Sequence, residues 1–406
     1  MRKWLCSPGG IMAEIVVLVL LLGFYQVKKS QDMLQDTGNA DIVHISATDH
    51  EKADYIKWVD FDVTAEAMKQ AYHYDIESCD KEIHLDWVEL LAYLGAKYGG
   101  DFSRYRASDL DDVAERIMGG AETMEEITAD MEHFSYYCEA YGAVLGGMVG
   151  EYEAETPSDT ETPSDTETPS DTETTSDTKA PSDTGTVSSE DNLEDESKDE
   201  SKEAAQGIWK RYYGLKAFNP IAKGFPYADY DDFGVSRSYG FRRNHLGHDM
   251  MGQVGTPVIA VESGVVSALG WNQYGGWRIG IDSFDGKRYY YYAHLRQNRP
   301  YAEGIEEGSV VQAGDVIGYV GRTGYSSEEN VNNIDEYHLH FGLQLIFDES
   351  QRDGNNEIWV SCYELVRFLS ANRSDVTRND ATKEWTRTYG FKDPQVTEYL
   401  KEKEAD

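Results

Sequence analysis

Between about residues 53 and 150 the apolar positions repeat with the period of an α-helix. Four of them are spaced i, i+3, i+4 and i+7, which predicts a helix with one buried face: Trp87, Leu90, Leu91 and Leu94. The run ends at Gly99-Gly100, a typical helix stop. A second predicted helix opens at Ser108-x-x-Asp111, and its inner face would hold Leu110, Val113 and Ile117.

A capping box at Thr123-x-x-Glu126 predicts the start of a third helix. This helix would carry four further apolar residues: Phe134, Tyr137, Tyr141 and Leu145. We therefore predict an all-α helical module over residues 40–150, which positions the protein or binds a partner. The alternative is a muramidase-like active site that uses acids such as Glu82 or Glu89, although acidic residues on helices usually face solvent.

The apolar pattern changes to that of β-strands in the C-terminal half. Arg288 to Leu295 reads as a strand that follows a hairpin turn at Asp285-Gly286. The segment around His338 and His340 is also β-prone, so these two side chains should share one face while Leu339 turns into the core. We predict a β domain over residues 206–375 and a polar C-terminal tail over 376–406.

The N-terminus combines positive charge with an apolar run. Arg2 and Lys3 precede an apolar stretch from Trp4 to Tyr25 that is just long enough to span a membrane. No small-x-small cleavage site follows, which favours an uncleaved signal anchor over a secretory peptide. Residues 1–30 are therefore predicted to be a cytoplasmic tip and a transmembrane helix of a single-pass protein.

Residues 151–205 have the composition of a disordered acidic linker. The hexad ETPSDT occurs at 155–160, 161–166 and 167–172, and degenerate copies follow. The segment has 19 Asp/Glu and 3 Lys, which gives a charge of −16, and almost no apolar residues. Its 55 residues would have an r.m.s. reach of roughly 40 Å. We expect this reach to let a tethered enzyme search its surroundings; a spacer of no particular length is an equal alternative.

Overall charge and cysteine content exclude several classes of protein. A net charge of −37 argues against binding nucleic acid through a basic face. The four cysteines lack CxxC spacing and predict neither a zinc ribbon nor a disulfide scaffold. Cys79 and Cys138 could pair or remain free, and Cys362 is predicted to lie in the core.

The histidines carry the candidate chemistry. The chain has ten, and all five beyond residue 140 fall in three short motifs: HLGHD (245–249), YYYYAHL around His294, and YHLHF around His338 and His340. Two imidazoles, a carboxylate and further histidines are what a catalytic zinc hydrolase needs. HExxH, Gly-x-Ser-x-Gly and Walker sequences are absent.

Together with the segments between them, these motifs resemble the M23 zinc endopeptidases, the LytM or lysostaphin type. The resemblance covers about residues 218–347 and rests on five pieces in the family's order: HLGHD, GTPVIAVESGVV (255–266), YAHL, VQAGDVIGYVGRTG (311–324) and HLHFGL (338–343). It implies a small, mostly antiparallel β domain with an open groove. It also implies Zn²⁺ held by His245, Asp249 and His340, and cleavage of peptide bonds in peptidoglycan.

The same resemblance implies that His294 and His338 flank the metal without binding it. His338 is our candidate general base, and His294 would hydrogen-bond the oxyanion or protonate the leaving amine. The sequence leaves the division of these tasks open. His248, within the first motif, is not expected to be a ligand.

The sequence departs from the family pattern at residues 325–337, YSSEENVNNIDEY. This polar insertion should form a longer loop at the edge of the groove, where it could set specificity or occlude the site.

We therefore expect a membrane-anchored, extracytoplasmic zinc endopeptidase at the cell wall that hydrolyses stem-peptide or cross-bridge bonds. The expected partners are peptidoglycan peptides, the lipid bilayer and a possible protein partner of the helical module, with no nucleic acid. The alternative is a non-catalytic wall-binding or assembly scaffold that uses the same groove for recognition.

Overall fold

As the apolar pattern predicts, the chain forms helices before residue 146 and mostly strands after it. The structure, a computed structural model, describes residues 55–156, 208–238, 242–353 and 356–405. The helices of this part are α1 (Ala65–Ser78), α2 (Trp87–Tyr98), α3 (Ala107–Met118), α4 (Met124–Thr128), α5 (Phe134–Leu145), α6 (Tyr363–Leu369) and α7 (Pro394–Ala405), with 3-10 turns at Phe102–Arg104 and Glu349–Asp353. The strands are β1 (Val149–Thr156), β2 (Ile208–Leu215), β3 (Ser236–Ser238), β4 (Arg242–Asn244), β5 (His248–Met251), β6 (Pro257–Ile259), β7 (Gly264–Asn272), β8 (Gly276–Ser283), β9 (Arg288–Ala293), β10 (Val310–Val311), β11 (Val316–Tyr319), β12 (His338–Leu345), β13 (Ile358–Val360), β14 (Val376–Arg378), β15 (Trp385–Arg387) and β16 (Phe391–Lys392).

The helix predictions are confirmed for α2 and for the buried face of α3. Helix α2 begins after Asp86, whose side chain accepts a hydrogen bond from the Glu89 amide, and it ends at Gly99 in a left-handed conformation. Helix α3 begins at Ala107, slightly before the predicted Ser108 start. Its predicted inner residues are all buried: Leu110, Val113 and Ile117.

The third predicted helix is wrong in its extent. The capping box of Thr123 and Glu126 is present, but the helix that it opens ends at Thr128. The Thr128 hydroxyl donates to the carbonyl of Met124, and the following chain continues through bonds between residues three apart, from Met131 to Thr128 and from Phe134 to Met131. The four predicted apolar residues therefore lie on a separate helix, α5.

The C-terminal region is mostly antiparallel β, as predicted. Its main sheet has seven strands in the order β10-β7-β8-β9-β12-β13, and β5 also pairs with β12. The predicted hairpin is present: Gly286 has a φ of 70° in the turn between β8 and β9. Strand β12 has the most partners in the sheet, because it pairs with β5, β9 and β13, in each case antiparallel.

The helices and the sheet share one hydrophobic core, rather than forming separate modules. Phe368 on α6 stacks on Trp87 of α2, with ring centroids 5.6 Å apart, and meets Tyr72 of α1 edge-on at 6.0 Å. Glu364 accepts a hydrogen bond from the Ala65 amide at the start of α1, at 2.7 Å. The helical region thus packs directly on the β region.

The ends of the predicted linker are neighbours. Residues 151–156 are part of β1, which pairs with β2 from Val149 opposite Leu215 to Thr156 opposite Ile208. Residues 157–207 lie outside the described part. The chain therefore leaves and re-enters the described fold on adjacent strands, and the helical and β regions on either side of this segment pack against each other.

The predicted polar tail is also part of the fold. Strand β16 pairs with β1, and Asp393 forms a buried ion pair with Lys216 at 2.9 Å. Residues from 376 onward thus complete the small sheet β16-β1-β2.

The predicted membrane anchor at residues 1–30 lies outside the described residues. Among the helices within residues 55–156, 208–238, 242–353 and 356–405, none combines the length and the apolar character needed to cross a bilayer. Cys79 and Cys138 are free thiols, and Cys362 is buried as predicted.

A buried ion pair connects the helices to the sheet. Arg288 contacts Glu262 through two nitrogens, at 2.8 and 3.0 Å, and donates to the carbonyl of Ala143 on α5 at 3.0 Å. Tyr290 donates to the same carboxylate at 2.7 Å.

Arg288→Met should lower the free energy of unfolding by about 3–5 kcal/mol, because it leaves the Glu262 carboxylate buried without a counter-charge. Denaturant titration of the full chain measures this loss. Arg211→Met is the control: Arg211 is 69% exposed and 4.0 Å from its nearest carboxylate, so little change is expected. Adding Glu262→Gln to Arg288→Met should restore part of the stability. Equal stability of the Arg288→Met and Arg211→Met variants would contradict the assignment.

Candidate active site

The sheet brings all five predicted site residues to one place. Asp249 on β5 lies directly opposite His340 on β12, and His338 is two residues earlier on the same strand. His245 follows β4, and His294 follows the end of β9, whose last residue, Ala293, is also paired with His340. Alternation along β12 turns Leu339 into the core, where it is fully buried.

Three of these side chains direct ligand atoms at one point. The Nε2 of His245 is 3.1 Å from Oδ1 of Asp249 and 3.0 Å from Nδ1 of His340, and the latter two atoms are 2.9 Å apart. No other group of three or more His, Cys, Asp or Glu residues in the described part is arranged to hold a metal ion.

The donor set fits zinc. Two imidazoles and one carboxylate are typical ligands of catalytic zinc, at bond lengths of about 2.0–2.2 Å. Tetrahedral ligands at that length are roughly 3.3 Å from each other, close to the separations of the three atoms here. Three such ligands leave a coordination position for substrate or water.

Asp232 and Arg237 support this group, and neither was predicted from the sequence. Oδ2 of Asp232 is 3.1 Å from Nδ1 of His245, so the carboxylate orients the imidazole and leaves Nε2 toward the metal position. Arg237 contacts Oδ2 of Asp249 at 2.8 Å and also pairs with Asp232. No motif spacing predicts these contacts, because Asp232 lies before β3 and Arg237 on β3, and the packing of this segment against the ligand residues creates them.

His294 and His338 stand beside the ligand group, each with its Nδ1 atom bound to a backbone carbonyl. The Nδ1 of His338 faces the Glu336 carbonyl at 3.0 Å, and the Nδ1 of His294 faces the Thr323 carbonyl at 2.9 Å. Since a carbonyl only accepts hydrogen bonds, each Nδ1 carries the proton. The Nε2 of His338 is buried without a hydrogen-bond partner and lies 3.7 Å from Oδ1 of Asp249.

The backbone holds His294 in a conformation that is rare for a non-glycine residue. Its φ is 60°, and its amide donates to the carbonyl of Gly275 at 2.7 Å. The ring centroids of His294 and His338 are 4.8 Å apart. The tertiary structure thus supports a strained backbone at the end of β9.

Burial and neighbouring groups shift the pKa values in the site. Burial alone would raise the pKa of Asp249, but hydrogen bonds from His245 and His340 hold it far below its usual range. Burial tends to lower the pKa of His245, yet its contacts with Asp232 and Asp249 outweigh this and raise it to about 9. A metal at this position must therefore displace a proton from His245.

Burial lowers the pKa of His294 well below its usual value, and the nearby histidines add to the effect. The pKa of His340 is also lowered, chiefly by burial. Both rings are therefore neutral near pH 7, the form in which an imidazole can bind a metal or accept a proton.

The ligand group opens into a groove of about 1220 Å³. Its floor is the outer face of the main sheet, where the aromatic ring of Tyr289 packs against Gly280 and that of Trp359 against Gly342. A Cβ atom at either glycine would collide with the ring. The tyrosine run 289–292 alternates as predicted, with Tyr290 and Tyr292 fully buried.

The insertion at 325–337 lies next to the groove. The ring of Tyr325 is 6.0 Å from that of His294, and the side chain of Asn330 accepts a hydrogen bond from Trp277 at 2.9 Å. Of its residues, all within the described part, none is among those that line the cavity. The loop therefore borders the site without covering it.

Three side chains that the sequence analysis considered but did not favour as site residues lie outside the ligand group. The Nε2 of His248 contacts Asp229 at 2.9 Å on the opposite side of β5 from Asp249. Glu82 and Glu89 are exposed on the helical region. We find no role for these three side chains in the ligand group.

Comparisons with known proteins agree with this geometry. The model of peptidase family M23 matches residues 243–353. The chain is 40% identical over 124 residues to the L-Ala–D-Glu endopeptidase of Bacillus subtilis, covering 30% of this chain and 36% of that protein. It is 34% identical over 141 residues to glycyl-glycine endopeptidase ALE-1 of Staphylococcus capitis, covering 34% and 33%. The chain thus spans about a third of the length of these relatives.

Among solved structures, the catalytic domain of the antimicrobial peptidase lysostaphin from Staphylococcus simulans is 34% identical. The match covers 29% of this chain and 80% of that domain, with a TM-score of 0.24. Peptidases of this family depend on zinc, in agreement with the His-Asp-His ligand group.

Asp232→Asn should weaken zinc binding by about 10–100-fold, because the amide cannot reproduce the charged contact with His245. Competition with a chromophoric chelator measures this affinity. Asp229→Asn is the matched control, since it changes the same contact on His248 outside the ligand group. Equal zinc affinities for the two variants would show that Asp232 does not support the metal.

Proposed function

Because residues 243–353 match the model of peptidase family M23, we propose that this protein is a zinc endopeptidase that hydrolyses peptide bonds of peptidoglycan, in the stem peptide or in a cross-bridge. One observation carries the proposal. The ligand atoms of His245, Asp249 and His340 converge on one point, while His338 and His294 stand beside them with Nδ1 bound to backbone carbonyls and only Nε2 left for chemistry.

The three ligand residues would hold the metal at the end of the groove. Zinc bound there would supply Lewis acidity toward a scissile carbonyl and toward water. Asp232 and Arg237 keep the ligands oriented, because they occupy the second nitrogen of His245 and the second oxygen of Asp249.

His338 is suited to take the proton of the attacking water. Its Nδ1 is tied to a backbone carbonyl, so only Nε2 is available, and that atom has no other partner in the described structure. His294 faces the same space, and once protonated it can donate to the oxyanion or to the leaving amine. The groove floor of Tyr289, Tyr291 and Trp359 would position the peptide.

A purely recognising scaffold explains these features less well. Binding alone needs neither a metal ligand group nor two histidines that expose a free Nε2. Cleavage of peptidoglycan requires the catalytic region to be extracytoplasmic. The proposal also includes membrane anchoring by residues 1–30 and a protein partner for the helical region. Both concern parts of the chain outside the active site.

The test is digestion of purified peptidoglycan with the full chain, followed by mass spectrometry of the released peptides. The full chain is needed because the helices share the core of the β region. The unsubstituted protein should create new amino termini at one type of bond. If it binds zinc and creates none across several wall types, the scaffold function replaces the proposed one.

His338→Gln should lower the rate by at least about 100-fold with zinc content unchanged, because it removes the proton acceptor and not a ligand. His340→Ala should lose both zinc and activity. The matched control is His248→Gln, a buried histidine outside the ligand group, which should keep both. Full activity of His338→Gln would assign the general base to another residue.

A further inference from the structure

Two of the arginines that line the groove already have partners. Arg352 contacts Asp282 at 2.8 Å and Glu349 at 3.2 Å. Arg243 lies over the ring of Tyr274, with its guanidinium carbon 5.6 Å from the ring centroid. Their positive charges are therefore engaged within the protein.

Arg278 differs from them. Within the described part of the chain its guanidinium forms no ion pair and lies over no aromatic ring, whereas Arg243 has such rings; the Nε of Arg278, like that of Arg243, is buried without a hydrogen-bond partner. The chain has 74 acidic residues and only 37 Lys and Arg. In so acidic a protein, a groove arginine that has no carboxylate partner is suited to bind an anionic group of a ligand.

The sheet places Arg278 at a useful distance from the metal ligands. Gly280 of β8 is paired with Tyr291 of β9, which in turn is paired with Gly342 of β12. Arg278 and His340 each lie two residues before these positions, so they are on the same face of the sheet with β9 between them. Strands are about 4.8 Å apart, so the two backbones are roughly 10 Å from each other. Residues of an extended peptide are spaced about 3.5 Å apart, so a substrate residue within about three positions of the scissile bond can lie beside Arg278.

Two tyrosines complete the surroundings of this guanidinium. Burial raises the pKa of Tyr289 to about 12, and Arg278 is the nearest charge that opposes this increase. Burial also raises the pKa of Tyr291, again opposed by Arg278. Both phenols therefore stay protonated and can donate a hydrogen bond beside the cation.

We propose that Arg278, with Tyr289 beside it, binds a free carboxylate on a substrate residue within about three positions of the scissile bond. The proposal rests on the proposed function and narrows its substrate class. An oligoglycine bridge carries no side-chain charge, whereas a stem peptide with an acidic residue does. Arg278 is thus the residue that selects an acidic stem peptide.

The test compares three peptides on the zinc-loaded full chain: an alanyl-glutamyl peptide with a free carboxylate on the glutamate, the same peptide with that group as a carboxamide, and pentaglycine. The unsubstituted protein should cleave the carboxylate peptide with a kcat/KM at least about tenfold above the other two. Most of the difference should lie in KM.

Arg278→Gln should lower kcat/KM for the carboxylate peptide until the carboxylate-to-carboxamide ratio is close to one. Arg278→Lys should keep part of the ratio, because it retains the charge but loses the two-pronged geometry. Lys287→Gln is the control: it removes one positive charge from the exposed turn at the end of the same hairpin and should keep the full ratio.

Equal cleavage of the carboxylate and carboxamide peptides by the unsubstituted protein would overturn the proposal. So would an equal loss on both peptides in Arg278→Gln, which indicates a structural role. If no peptide is cleaved, the proposed function fails. The affinities of the uncut carboxylate and carboxamide peptides, measured by calorimetry, then test the subsite separately, and equal affinities would refute it.

Discussion

The pairing register between β5 and β12 is the constraint on which the site depends. Asp249 and His340 face each other across this pair, and His338 follows on the same side. Because side chains alternate along a strand, a slip of one residue would turn both histidines into the core and bring Leu339 to the groove. β12 is held in place by pairing with β9 and β13 as well, so the register of the ligand strand is secured by three neighbours.

Charged groups this deeply buried need partners, and the structure supplies them in a chain of contacts. Asp232 satisfies one nitrogen of His245, and Arg237 connects Asp232 to Asp249. The ligand atoms face one another at about hydrogen-bond distance, an arrangement that suits a shared cation better than isolated side chains. His338 is left out of this network, and for that reason its Nε2 is available for chemistry.

The peptidase region is part of a larger folding unit. The family match covers residues 243–353, but the hydrophobic core extends from Val59 in the helical region to Leu369 on α6. The buried contact of Arg288 with Glu262 and with the Ala143 carbonyl joins the two regions. The helices therefore support the sheet from which the groove is built, and the groove face remains open to a peptide.

Local pattern was enough to predict α2, the hairpin at Gly286 and the alternation along β12, because each depends on residues near in sequence. The five histidine and aspartate residues of the site were indicated by the family resemblance of their motifs. The break between α4 and α5, the ordered C-terminal segment and the shared core were not predicted, since they depend on contacts between distant residues, such as Ala65 with Glu364. The supporting pair of Asp232 and Arg237 and the isolated charge of Arg278 belong to the same class. The sequence by itself determined which chemical groups the site contains; only the tertiary structure decided what surrounds them, because burial and partner distances arise when remote strands and loops pack together.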